Sequence, residues 1–152
     1  MKSLKIAMAL IVATTLIASC CPCRKAVNKD HKALKTTEWS LVQMDGKNIT
    51  EQFGTEECPR LVIADDGTFG GYGGCNSMGG QYTLTPSELP AQREFVGTIH
   101  FGDIFSTKRM CPNDRLEMAF FATLAKIDSF TIEGSKLFLF ERGELKLVFE
   151  AK

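Results

Sequence analysis

The sequence predicts an α+β domain that is mainly β: a curved antiparallel sheet or partly open barrel packed by one helix at about residues 113–128. Three observations lead there. Short runs with alternating apolar residues recur along residues 38–152. Asp-Gly and related turn pairs separate them. One segment alone changes period from two to that of a helix.

The first strand is "EWSLVQMDG". Alternation sets Trp39, Leu41 and Gln43 on one face and Ser40, Val42 and Met44 on the other, and Asp45-Gly46 is a hairpin signal. "RLVIADDGTFGGYG" reads as a second hairpin with Asp66-Gly67 at its tip and Leu61, Ile63, Phe69 and Tyr72 as its apolar side chains. The run "GGYGGCNSMGG" between Gly70 and Gly80 leads into the strand "GGQYTLT". Glycine there serves bends, bulges and close backbone approach. "SELPAQREF" is polar and reads as a loop, and "VGTIHFGDIFST" is an extended stretch.

The helix follows. Leu116, Phe120, Leu124 and Ile127 form one stripe, with Met118, Phe121 and Ala125 expected to broaden it. Asp114 and Glu117 have the spacing of a capping box. The chain closes as a meander of "SFTIEG", "KLFLFE" and "LKLVFEA", turning at Gly134-Ser135 and Arg142-Gly143-Glu144. In the last strand Leu145, Leu147 and Phe149 are expected on one face.

Ahead of this body lie two other regions. Residues 1–19 have a basic start at Lys2 and Lys5 and an apolar run from Ile6 to Ser19. That run is too short for a bilayer core, which needs about 20 residues, and has the form of an export signal. Ile17-Ala18-Ser19-Cys20 matches the lipobox of bacterial lipoproteins, which makes Cys20 the expected site of lipidation. Residues 20–37 carry five basic side chains against Asp30, a net of +4, and read as a flexible tether. Residues 38–152 carry 11 Lys and Arg against 17 Asp and Glu, a net of −6. An acidic body argues against nucleic acid as a partner.

The glycine run is not a nucleotide site, since no lysine follows it and it leads into a strand rather than a helix. Cys75 could act as a nucleophile with His100 as its base, but no spacing supports that dyad. Cys75, Met78, Met110 and Cys111 are soft donors of the kind copper(I) takes. Packing of the methionines in the core and pairing of the cysteines explains the same residues without a metal. Cys21 and Cys23 are too close for a relaxed disulfide.

The body resembles the META domain family, which includes HslJ-like heat-shock proteins. The matching residues are Trp39-x-Leu41 with Gly46, "GGCN" at Gly73–Asn76, Gly80-x-Tyr82, and Thr107-x-x-Met110-Cys111. Glu117, Phe120 and Leu124 of the helix and the closing "IEGSKLFLF" complete the pattern. It departs from the family at Met78, where many members carry an aromatic residue, in a longer segment from Gln92 to Phe105, and at Cys58, which has no counterpart.

The resemblance covers residues 38–150, essentially the whole of the 38–152 domain, and implies a small β domain with one helix, an envelope location and a stress association. It implies no catalytic residue and no cofactor. It gives Gly74, Cys75 and Asn76 a structural role at a sheet bend, and Met110 and Cys111 one at the approach to the helix. It also makes Cys75–Cys111 the candidate disulfide, with Cys58 left free; two neighbouring buried thiols are the alternative.

The expectation is a non-enzymatic envelope lipoprotein, held in a membrane by its lipid, with an envelope protein as a possible partner and neither nucleotide nor nucleic acid bound. Cys21 is not the aspartate that retains lipoproteins in the inner membrane, which points to the outer membrane, facing the periplasm. The alternatives are a thiol-dependent enzyme using Cys75 or Cys111, and a soft-metal carrier using Cys75, Met78, Met110 and Cys111.

Overall fold

A computed structural model describes residues 34–54, 57–87, 95–111 and 114–152. The leader, Cys20 and most of the tether, the loop around residues 88–94 and Pro112 lie outside the described residues.

The strands are β1 (Glu38–Met44), β2 (Lys47–Asn48), β3 (Arg60–Ile63), β4 (Thr68–Tyr72), β5 (Ser77–Pro86), β6 (Phe95–Phe101), β7 (Phe105–Ser106), β8 (Ser129–Glu133), β9 (Lys136–Glu141) and β10 (Glu144–Ala151). A short helix α1 (Thr50–Phe53) follows β2, and α2 (Arg115–Leu124) precedes β8. Every pairing is antiparallel, in the order β10-β9-β8-β6-β5-β4-β3-β1.

The last strand then pairs with the first, Trp39 opposite Ala151 and Met44 opposite Leu147. The curved sheet is therefore a closed eight-stranded barrel, without the opening the sequence left room for. Closure removes the free edges that an open sheet must protect. β2 and β7 lie outside the ring, paired with β1 and β5.

Two bulges shape the seam, and each corrects an expected face. In β1 the register shifts between Leu41 and Gln43, so Val42 is an extra residue and Met44 turns toward the core. In β10 the shift lies between Leu145 and Leu147; Leu147 and Phe149 are fully buried, while Leu145 is 37% exposed. An extra residue flips the pleat and increases local twist, which helps a small sheet curl into a barrel.

The interior is filled by side chains. Trp39, Leu41, Leu61, Ile63, Ile99 and Phe130 from the wall are all essentially inaccessible to water. Phe69 and Phe101 meet edge to face at 5.1 Å. α2 lies at the end of the barrel that holds the β4–β5 connection and the Arg142-Gly143 turn. Its Leu116, Phe120 and Leu124 join the core, and the Phe120 ring stands 6.2 Å from that of Phe149.

The helix is shorter than expected, and Ile127 is buried just beyond it. Met118 and Ala125 do not broaden the stripe: both are exposed, because each lies about half a turn from Leu116.

The opposite end is closed from the N-terminal side. Leu34 is fully buried and its carbonyl accepts the Trp39 indole N–H at 3.0 Å. Lys35 pairs with Asp65 at 3.4 Å. The folded body thus takes in Leu34, upstream of the expected boundary at residue 38.

Candidate functional site

The glycine run, the segment before α2 and the helix itself meet at one end of the barrel and form a clasp. Its first part is the bend between β4 and β5. Gly74 has φ +111°, a conformation that side chains with a Cβ rarely adopt. A Cβ at Gly73 would come within 2.6 Å of the Phe121 ring and 2.8 Å of Glu117 Oε2. The glycines therefore turn the chain and let the helix approach.

The second part is the strap Thr107–Cys111. Cys75 and Cys111 are joined by a disulfide with their Cα atoms 6.2 Å apart. Asn76, only 5% exposed, holds the strap's backbone at both polarities. Its Oδ1 accepts from the Arg109 N–H at 2.6 Å and the Thr107 hydroxyl at 2.9 Å, and its Nδ2 donates to the Arg109 carbonyl at 3.3 Å. Thr107 N–H also donates to the Ser77 carbonyl at 3.0 Å.

The third part is Glu117, 6% exposed on the inner face of α2. Oε2 accepts from the Asn76 N–H at 2.6 Å and the Cys75 N–H at 3.1 Å, and Oε1 accepts from Asn76 Nδ2 at 2.7 Å. Burying a carboxylate is costly unless such donors surround it. Among the described residues no buried side-chain nitrogen or oxygen lacks a partner. The clasp's polar atoms are spent on one another, so its chemistry is that of a fastener.

Glu117 is the residue whose role the sequence reading missed. It does not close a capping box: Asp114 occupies the N-cap without a side-chain bond, and Glu117 points into the protein. A signal was present. Glu117 falls within the arc spanned by Leu116, Phe120, Phe121 and Leu124, and a carboxylate on an apolar stripe demands buried donors.

The remaining candidates are scattered. Gly74, Cys75 and Asn76 do sit at the bend. Met110 is 100% exposed and packs against nothing, whereas Met78 is buried in the core. The soft-metal set is therefore not assembled: its two cysteine sulfurs are bonded to each other and its two methionines lie in opposite environments. The same bond leaves neither Cys75 nor Cys111 as a free nucleophile. His100 is exposed on β6.

Cys58 is the free cysteine among the described residues. It donates to the Gly54 carbonyl at 2.9 Å, and burial pushes its thiol above the usual range, which disfavours the thiolate. It borders an open groove of about 620 Å³ on the outer face of β1, β3 and β10. Arg60, on that groove, is already engaged by Glu38 at 3.8 Å and by the Tyr72 ring at 5.0 Å.

The family model of the META domain matches residues 32–152. The chain belongs to the META domain family. Its match begins just ahead of Leu34, in agreement with the burial of that residue. Among curated proteins, none matches.

Two solved structures are similar to this chain in fold. One is an NMR structure of a protein from Burkholderia xenovorans, 22% identical, with a TM-score of 0.58, covering 82% of this chain and 87% of that one. The other is a crystal structure of a DUF4847 family protein from Bacteroides vulgatus, 14% identical, with a TM-score of 0.55, covering 80% of this chain and 96% of that one. At these identities the likeness concerns the fold.

Proposed function

We propose that this META domain protein is a non-enzymatic lipoprotein of the bacterial cell envelope, anchored through Cys20, that binds or stabilises an envelope component under stress. The observation that carries the reading is the Cys75–Cys111 disulfide in a body that follows a lipobox. Structural disulfides persist in oxidising compartments, which the chain enters once exported. Two independent features, one in the leader and one in the core, thus ask for the same side of the inner membrane.

The remaining parts fit that reading. The barrel's interior is filled by its own side chains and the clasp's polar atoms are paired, which favours a scaffold over a catalyst. A lipidated cysteine carries more than one acyl chain, and each buried methylene contributes about 0.8 kcal/mol, enough for stable anchoring. The stress association rests on the HslJ-like resemblance. The outer membrane, facing the periplasm, is the proposed address.

Labelling with a palmitate analogue tests the anchor. The parent chain takes up label and fractionates with the outer membrane; Cys20→Ala remains unlabelled and unprocessed. Equal labelling of the two chains would defeat the proposal. A body of net −6 should also show no DNA affinity at moderate salt, and micromolar binding in a fluorescence assay would remove the charge argument.

A further inference from the structure

We propose that the Cys75–Cys111 clasp is a site of thiol–disulfide exchange, entered at Cys111 by an envelope dithiol and opened without unfolding the barrel. The two sulfurs have unequal surroundings. Cys75 is 3% exposed, beneath the strap and beside Asn76. Cys111 is half-buried at the strap's end, next to the fully exposed Met110. An attacking sulfur must approach along the bond axis, so access selects Cys111.

Charge points the same way. Lys108 and Arg109 are exposed just before Cys111, and among the described residues neither forms an ion pair. Cations beside a disulfide attract the incoming thiolate.

The step balances. The partner's thiolate attacks Cys111 Sγ, forming a mixed disulfide and breaking the bond to Cys75, which leaves with the electron pair. Asn76 Nδ2 lies 3.3 Å from Cys75 Sγ and donates to that thiolate by giving up its equally long bond to the Arg109 carbonyl. The partner's second thiol then attacks the mixed disulfide. The dithiol is oxidised to a disulfide, and Cys75 and Cys111 are left reduced, with protons taken from water.

Proximity governs the reverse direction. The bonds of Asn76 to the strap keep the Cys75 sulfur beside Cys111. With a monothiol, Cys75 therefore returns to Cys111 and the clasp recloses; a dithiol is needed to hold it open. The strap does not leave meanwhile, because the bonds of Thr107 and Arg109 to Asn76 Oδ1 and of Thr107 to the Ser77 carbonyl do not involve the sulfurs.

The purified, oxidised full chain is treated under native conditions with reduced glutathione or with dithiothreitol, quenched by alkylation and mapped by peptide mass spectrometry, which separates the clasp from Cys58 and from Cys20, Cys21 and Cys23 of the tether. With dithiothreitol both clasp cysteines become alkylated while the near-ultraviolet circular dichroism of the barrel is retained. With glutathione the adduct falls on Cys111 over Cys75 by about tenfold; in Cys75→Ser, where no clasp disulfide remains, oxidised glutathione is used instead, and the mixed disulfide it forms on Cys111 with release of reduced glutathione accumulates because no thiol returns. Lys108→Glu with Arg109→Glu slows the exchange several-fold at low salt. An adduct on Cys75, or a disulfide that resists dithiothreitol until denaturant unfolds the chain, overturns the proposal. The wild-type mapping decides the point even if a cysteine variant fails to fold.

Discussion

The barrel wall and the clasp both join residues far apart in the chain, and they do so by different means. In the wall, β1 meets β10 through a ladder of backbone bonds over an apolar interior, from Trp39 opposite Ala151 to Met44 opposite Leu147. Each buried side chain adds area, at roughly 25 cal/mol per Å², and none is indispensable to the ladder. In the clasp, Asn76 and Glu117, 41 residues apart, carry almost every contact between bend, strap and helix. Loss of one partner there strands several others in a dry site. The wall is distributed and graded; the clasp is concentrated and brittle.

That contrast can be tested by substitution, beginning where the two regions meet. Phe120 is fully buried under the clasp and packs on Phe149 of the wall. Phe120→Ala should cost up to about 5 kcal/mol in urea denaturation, as transfer and cavity terms add. Replacing Cys75 and Cys111 together by Ser opens a loop of 36 residues and should cost about 4 kcal/mol on the loop-entropy model. A loss below about 1 kcal/mol would show that the hydrogen bonds alone hold the strap.

Glu117→Gln keeps the size but removes the charge that three donors address, and about 2 kcal/mol should be lost. An unchanged midpoint would mean that the clasp is no more brittle than the wall.

Smaller effects belong to the surface. The Ser129 hydroxyl, and then the Arg142 N–H, hold the Asp128 carboxyl below its usual range. A lowered folded pKa contributes stability above the unfolded value near 4, and that stability is lost as pH falls through the folded value. Asp128→Asn should therefore show a shallower loss of Tm than the parent as pH falls from about 5 to about 2. Smallest of all, Met110→Ser should change stability by no more than about 0.5 kcal/mol, because that side chain touches nothing.

Much of the wall was legible from one dimension. Alternation over a few residues, Asp-Gly turns and the stripe of Leu116, Phe120 and Leu124 are local signals, and local sterics and periodicity impose them on any fold. The proposed leader and lipobox are likewise read from contiguous residues, which lie outside the described ones, and the pairing of Cys75 with Cys111 came from the family resemblance.

Other features were decided by the tertiary structure. The bulges at Val42 and in β10 answer to the curvature a closed ring requires, so Met44 and Leu145 exchange the faces that alternation gave them. Leu34 belongs to the body because the Trp39 indole and the open end of the barrel need it. Glu117 looked like a cap three residues from Asp114; its partners are backbone amides 41 and 42 residues away, and only the folded barrel brings those donors to it.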